Sequence, residues 1–150
     1  MRKLIFLVFL TLISCSIKTE FFIYNTSDEL VTIEYKFHEE TIFGGFVSNP
    51  VIMESNWLSK LKEIESSELS VDFDKNIVTC ILKKGQAIKL GWIGNYSPKS
   101  DFKRQELSEN LKELRIIRNG KDTRIIKERD NVADLFKRVN SRRYEMKIIK

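Results

Sequence analysis

Val31, Ile33, Tyr35 and Phe37 alternate with Thr32, Glu34, Lys36 and His38. A period of two with one apolar and one polar face predicts a half-buried β-strand. Phe21–Asn25 reads as an earlier strand, with Asn25-Thr26-Ser27-Asp28 as the turn between the two. Ile77–Leu82 (IVTCIL) is apolar except at Thr79, which predicts a strand buried on both faces. Lys83-Lys84-Gly85-Gln86 turns the chain into a strand over Ala87–Ile93, with Ile88, Leu90 and Trp92 on one face. Leu69–Phe73 is a shorter strand, set apart from Ile77 by Asp74-Lys75-Asn76.

Leu114–Arg118 and Thr123–Lys127 flank Asn119-Gly120. Asn-Gly between apolar runs predicts a hairpin, because a type I′ turn needs positive φ at both central residues. A two-residue loop sets Leu114 against Ile125 but also Arg115 against Arg124, a like-charge clash; a four-residue loop sets Ile116 against Ile125 and avoids it. Val132, Leu135, Phe136 and Val139 share one helical face, with an Asn131/Asp134 capping box and a stop near Asn140. Tyr144, Met146 and Ile148 then alternate as a final strand. Trp57, Leu58, Leu61 and Ile64 suggest a weaker helix capped by Ser55 or Asn56. The segment Asn95–Asp101, with Pro98, reads as an irregular loop, and Leu107–Leu111 is ambiguous. Seven or eight short strands with turns between them predict a mainly β fold: an antiparallel β-sandwich, immunoglobulin-like or transthyretin-like, with one or two short helices.

The chain ahead of these strands has a different character. Met1-Arg2-Lys3 is followed by the uncharged ten-residue run Leu4–Ile13, about half of what a membrane-spanning helix needs. A basic start and a short apolar run form the pattern of an export signal. The run ends Leu12-Ile13-Ser14-Cys15. This resembles the lipobox of bacterial lipoprotein precursors, with an aliphatic residue, a tolerated residue, a small residue and then the cysteine; Ile13 is a mild departure. The resemblance covers residues 1–15 only. It implies a signal peptide over 1–14, cleavage before Cys15, and fatty-acyl chains such as palmitate on Cys15. Two or more acyl chains hold a protein stably on a membrane. In that family an Asp after the cysteine favours inner-membrane retention; Ser16 therefore points to the outer membrane of a two-membrane bacterium, facing the periplasm. An ordinary cleaved signal, or a buried N-terminal strand with an incidental cysteine, is the plainer alternative.

The mature chain, 15–150, has the length of one domain. The whole chain carries 26 basic and 21 acidic residues, but they are unevenly placed. Residues 15–80 hold 5 basic and 12 acidic side chains, and residues 81–150 hold 19 and 9. Lys99, Lys103 and Arg104 flank the irregular loop, and Lys137, Arg138, Arg142 and Arg143 bracket the last helix and strand. Such a set can meet anionic lipid headgroups. The expectation preferred on sequence is that the acidic and basic halves pair as neighbouring strands and largely cancel. Nucleic acid suits an exported chain poorly, and the aromatic–basic interleaving of RNA-binding domains is absent.

Candidate chemistry is sparse. Cys80 is the one thiol left after lipidation of Cys15, and it shares a face with Val78 and Leu82, as a small buried hydrophobe does. His38 ends a strand beside Glu39-Glu40, either as a base or as a solvated strand end. Phe43-Gly44-Gly45-Phe46 is either a loop presenting aromatics or a bulge packing them inward. No nucleophile-elbow, phosphate-loop, dinucleotide or zinc-protease motif occurs. The expectation is a membrane-anchored envelope lipoprotein that is not an enzyme, without catalytic, metal or cofactor residues. It would serve as a binding or structural accessory module for an unidentified protein or envelope component. An envelope inhibitor or immunity protein against a lytic enzyme is the alternative, and a hydrolase the remoter one.

Overall fold

Alternating β-branched and aromatic positions build eleven strands among the described residues, which are 17–37, 46–55, 60–127 and 131–149 of the computed structural model. In chain order these are β1 (Lys18–Asn25), β2 (Val31–Phe37), β3 (Phe46–Ser55), β4 (Leu61–Ile64), β5 (Leu69–Asp72), β6 (Ile77–Leu82), β7 (Gln86–Gly94), β8 (Leu111–Arg118), β9 (Lys121–Lys127), β10 (Lys137–Asn140) and β11 (Arg143–Ile148). Two short helices, α1 (Asp101–Asn110) and α2 (Val132–Leu135), complete the set. One sheet runs β10-β11-β1-β7-β3-β4 and the other β5-β6-β2-β8-β9. Their inner faces share one core: Phe21, Ile23, Ile88, Leu90, Ile93 and Met146 from the first, and Ile33, Tyr35, Val78, Cys80 and Leu114 from the second. Each such apolar side chain, fully buried, contributes about 1.5–3 kcal/mol. The fold is thus the expected mainly β sandwich with two short helices.

The sheets are not wholly antiparallel. β1 and β11 run parallel, Glu20 beside Arg143 through Asn25 beside Ile148. The last segment leaves the second sheet through α2 and reverses at the β10–β11 turn, so β11 enters the first sheet in the direction of β1.

Several local expectations are overturned. Leu61–Ile64 is strand, not helix, and pairs with β3 from Ser55↔Leu61 to Ile52↔Ile64. Two turns of apolar periodicity offer a helix little, while the edge of β3 offers backbone partners; Trp57 and Leu58 lie outside the described residues. The helix at 132 stops at Leu135; Phe136 is extended at φ −92°, ψ 121°, and Lys137–Asn140 is an edge strand with Val139 exposed. The Asn131 side chain makes no cap bond; its Oδ1 accepts from Arg104 Nη2 at 2.6 Å instead. Burying Phe136 in the core pulls the chain out of the helix. Ile77–Leu82 is buried on one face only, through Val78, Cys80 and Leu82. Trp92 does not share the inward face of Ile88 and Leu90: the register shifts near Gly91, at φ 151°, and Ile93 turns inward instead.

The Asn119-Gly120 hairpin has the two-residue turn, with φ 50° and 71°. Its register is neither of the two expected. Thr123 is an extra residue between Ile117↔Asp122 and Ile116↔Arg124, so Arg115 faces Ile125 and Leu114 faces Ile126. One bulge keeps the favoured turn and removes the arginine clash.

Two elements were missed on sequence, β3 and, after it, α1. Ser100 caps α1, accepting from the Lys103 amide, but only Leu107 among its apolar side chains is buried, so it leaves almost no apolar stripe to read.

Candidate functional site

The connections give the sandwich two distinct ends. β1 starts beside the end of β7, Lys18 against Gly94, and beside the start of β11. From β7 the chain passes through the 95–100 loop and α1 into β8, whose first residue, Leu111, pairs with Phe37 at the end of β2. Ile17, the 95–100 loop, α1, α2 and the β10–β11 turn therefore gather at one end, called proximal here. The β1–β2 connection and the Asn119-Gly120 and Lys83–Gln86 turns mark the distal end.

Aromatic packing fixes the proximal end. Phe21 meets Tyr96 edge-on at 4.9 Å, Phe136 edge-on at 5.4 Å and Tyr144 stacked at 5.6 Å. One strand residue thus holds the 95–100 loop, the exit of α2 and β11 together. Burial pushes the Tyr96 hydroxyl up to about 12. Arg104 ties the helices, donating to Asp134 Oδ1 at 3.0 Å and to Asn131. Asn95, at φ 49°, clamps the first described residue: its amide donates to the Ile17 carbonyl at 2.8 Å, and its Oδ1 accepts from the Ile17 amide at 2.9 Å.

Strand order interleaves the charges of the two halves, as expected. β1 lies between β11 and β7, and β2 between β6 and β8. Glu20 pairs with Lys89, Glu34 with Arg115 at 3.6 Å, Asp28 with Lys84 at 2.5 Å and Glu68 with Lys83 at 3.5 Å. Cancellation is incomplete at the proximal end. Lys103 pairs with Glu106, Arg104 with Asp134, and Arg143 with Glu145 while lying 5.0 Å from the Phe22 ring. Lys99, Lys137, Arg138 and Arg142 are exposed and form no salt bridge among the described residues. Lys18, which sequence reasoning passed over, likewise lacks an ion pair there and rests 4.5 Å over the Trp92 ring. Beside these cations stand apolar side chains open to solvent: Phe102 at 71%, Val139 at 52% and Ile17 at 48% exposure.

The chain matches no protein-family model, no curated protein and no solved structure.

The remaining candidates are less suggestive. Cys80 is buried among core side chains, and burial pushes its thiol from 9.0 up to about 12, the reverse of what a nucleophilic cysteine needs. A cleft of about 240 Å³ on the second sheet is lined by Glu34, Tyr35, Lys36, Ile77, Glu113 and Arg115. Arg115 engages both of its carboxylates, Glu113 at 2.7 Å. A second cleft, about 170 Å³, lies where β11 approaches β8 and β9; Arg118 there donates to the Ile149 carbonyl at 2.6 Å. Both are smaller than the roughly 300–1,000 Å³ usual for small-molecule sites. Among the described residues no cluster of three or more His, Cys, Asp or Glu is placed to hold a metal, and no helix is long and apolar enough to cross a membrane. Cys15, His38, Phe43, Gly44 and Gly45 lie outside the described residues, and Phe46 opens β3.

Proposed function

We propose that the chain is a bacterial cell-envelope lipoprotein, anchored through acyl chains on Cys15, whose β-sandwich is a non-enzymatic binding or accessory module. The observation that carries this reading is the order Arg2-Lys3, the uncharged run Leu4–Ile13, Ser14-Cys15, and then, within three residues, the first strand of the domain. Extended chain reaches only about 3.5 Å per residue. The anchor would therefore hold the proximal end of the sandwich within roughly 10 Å of the lipid, without a spacer. Ser16 rather than Asp after the cysteine fits an outer-membrane location facing the periplasm. The non-enzymatic part is supported by the buried, weakly acidic Cys80 and by carboxylates tied to Arg115 in the larger cleft. The experiment is expression of the full chain and of Cys15→Ser with a radiolabelled or clickable fatty acid. Label is expected in the parent and none in the variant; equal labelling of both, or of neither, contradicts the reading.

A further inference from the structure

We propose that the proximal end of the sandwich is a docking face for an anionic phospholipid surface, using exposed cations to hold headgroups and exposed apolar side chains to enter the interface. This deepens the anchor reading and rests on it for the orientation of the domain.

Three separate observations converge on this end. The first is charge. Strand pairing neutralises much of the charge where the two halves of the chain meet, yet Lys18, Lys99, Arg138 and Arg142 stay without a carboxylate partner among the described residues. Of the carboxylates at this end, Asp134 is engaged by Arg104 and Glu106 by Lys103, while Asp101 and Glu109 of α1 are exposed and form no salt bridge among the described residues, so the cations outnumber the free carboxylates without standing alone. Arg138 and Arg142 are held by the β10–β11 turn: Arg138 Nε donates to the Asn140 carbonyl at 3.2 Å, and the Arg142 amide donates to Asn140 Oδ1 at 2.9 Å. Arg138 Nη atoms and the Arg142 guanidinium remain available to phosphate oxygens, which a guanidinium fork suits.

The second is apolar exposure. Phe102 projects from the first turn of α1, Val139 from an edge strand and Ile17 from the residue ahead of β1, all at this end. Exposed apolar side chains rimmed by cations are the composition of an interfacial membrane contact. Phe73, also exposed, sits in the β5–β6 turn, which reaches the same end beside the last residue of β2, the Phe37 amide donating to the Asn76 carbonyl at 2.9 Å; its neighbours Asp72 and Asp74 make that corner of the second sheet acidic, and the docking face is the part of this end built by Ile17, α1 and the β10–β11 turn.

The third is where the chain goes. Ile17 is clamped by Asn95, and Cys15 lies two residues before it. Two residues reach at most about 7 Å, so a lipid on Cys15 brings this end, and not the distal one, to the bilayer. The short tether also raises the local concentration of headgroups around the face.

The test uses residues 16–150 without acyl chains, which contain every residue of the described core; a cooperative melt of each variant confirms folding. Binding is measured by co-sedimentation with phosphatidylglycerol vesicles and with phosphatidylcholine vesicles, at low and physiological salt. Salt-sensitive binding to the anionic vesicles alone is expected. Arg138→Gln/Arg142→Gln should weaken it roughly thirtyfold, from about 1 kcal/mol per cation near such a surface. Lys121→Gln/Arg124→Gln removes the same charge from β9, outside this face, and should change binding less than threefold. Phe102→Ser should weaken it several-fold at both salt concentrations. Equal losses from the two charge pairs, or no preference for anionic vesicles, would overturn the proposal. The assay involves no acylation, so its failure is distinct from a failure of the Cys15 anchor.

Discussion

Replacing Asn25 should unsettle the distal end of the sandwich more than any substitution of comparable size on its surface. Asn25 is fully buried where the chain leaves β1 and crosses to the other sheet. Its Nδ2 donates to the carbonyls of Glu29 at 2.8 Å and Leu82 at 2.9 Å. Its Oδ1 accepts from the Ser27 amide at 3.0 Å and the Ser27 hydroxyl at 2.7 Å. One side chain thus joins the crossover to the end of β6. Asn25→Ala removes these four bonds, leaving the buried Ser27 hydroxyl without its acceptor and the Leu82 carbonyl without its Asn25 donor. A hydrogen bond is worth about 1 kcal/mol net, and an unpaired buried group costs about 1–3 kcal/mol; some relaxation leaves roughly 3 kcal/mol. With a urea m-value of about 1.5–2 kcal/mol/M, the midpoint of the 16–150 domain falls by about 1.5–2 M. Asn25→Asp is the sharper variant. Its carboxylate has no donor for the Glu29 and Leu82 carbonyls, so it should be worse than alanine at pH 7. Burial against those carbonyls raises its folded-state pKa above the unfolded value of about 3.9. Between the two pKa values the folded state binds more protons, so stability falls as pH rises through that window and recovers as pH drops back. Urea midpoints at pH 7 and pH 4 check this. A midpoint within 0.3 M of the parent for Asn25→Ala, or an Asp variant no less stable at pH 7 than at pH 4 relative to the parent, would refute the reasoning (the 0.3 M threshold is roughly 0.5 kcal/mol).

Two further outcomes are expected. Gly120→Ala should cost about 1 kcal/mol, because its φ of 71° is strained for any side chain while nothing lies within 4 Å of the new methyl; a urea midpoint equal to the parent's contradicts the type I′ turn. In the 16–150 domain Cys80 should resist iodoacetamide at pH 8 until the protein unfolds, since its thiol is buried and pushed up to about 12; stoichiometric alkylation of the native domain, at the rate of an exposed thiol, contradicts its placement.

What the sequence made legible was whatever burial writes as a period. β2 is plain because Val31, Ile33, Tyr35 and Phe37 all enter one core. β11 is plain for the same reason, and Asn119-Gly120 marks the β8–β9 hairpin because few residues accept positive φ. Legibility failed where tertiary pairing overrides a local pattern. Leu61 and Ile64 have helical spacing, but β3 recruits them as a strand. Val132 to Val139 has it too, but the chain leaves the helix at Phe136, which the core takes in. Bulges are harder still: one extra residue at Thr123, and a shift near Gly91, each reassign the faces that follow. At the proximal end the basic residues were visible as composition. Which of them lack partners was not: Arg143 and Glu145 share a face of β11 by their spacing, but Arg104 finds Asp134 through packing that no spacing encodes, and Phe102 looks like any other aromatic until α1 turns it outward.

The most direct measurement is the intact mass of the full chain purified from the membrane fraction of a bacterial host. A species whose first residue is Cys15, heavier than the polypeptide by a diacylglyceryl group, is the result expected. A mass equal to the unmodified chain from Met1, or to a cleaved chain without lipid, would contradict the anchor on which the functional reading stands.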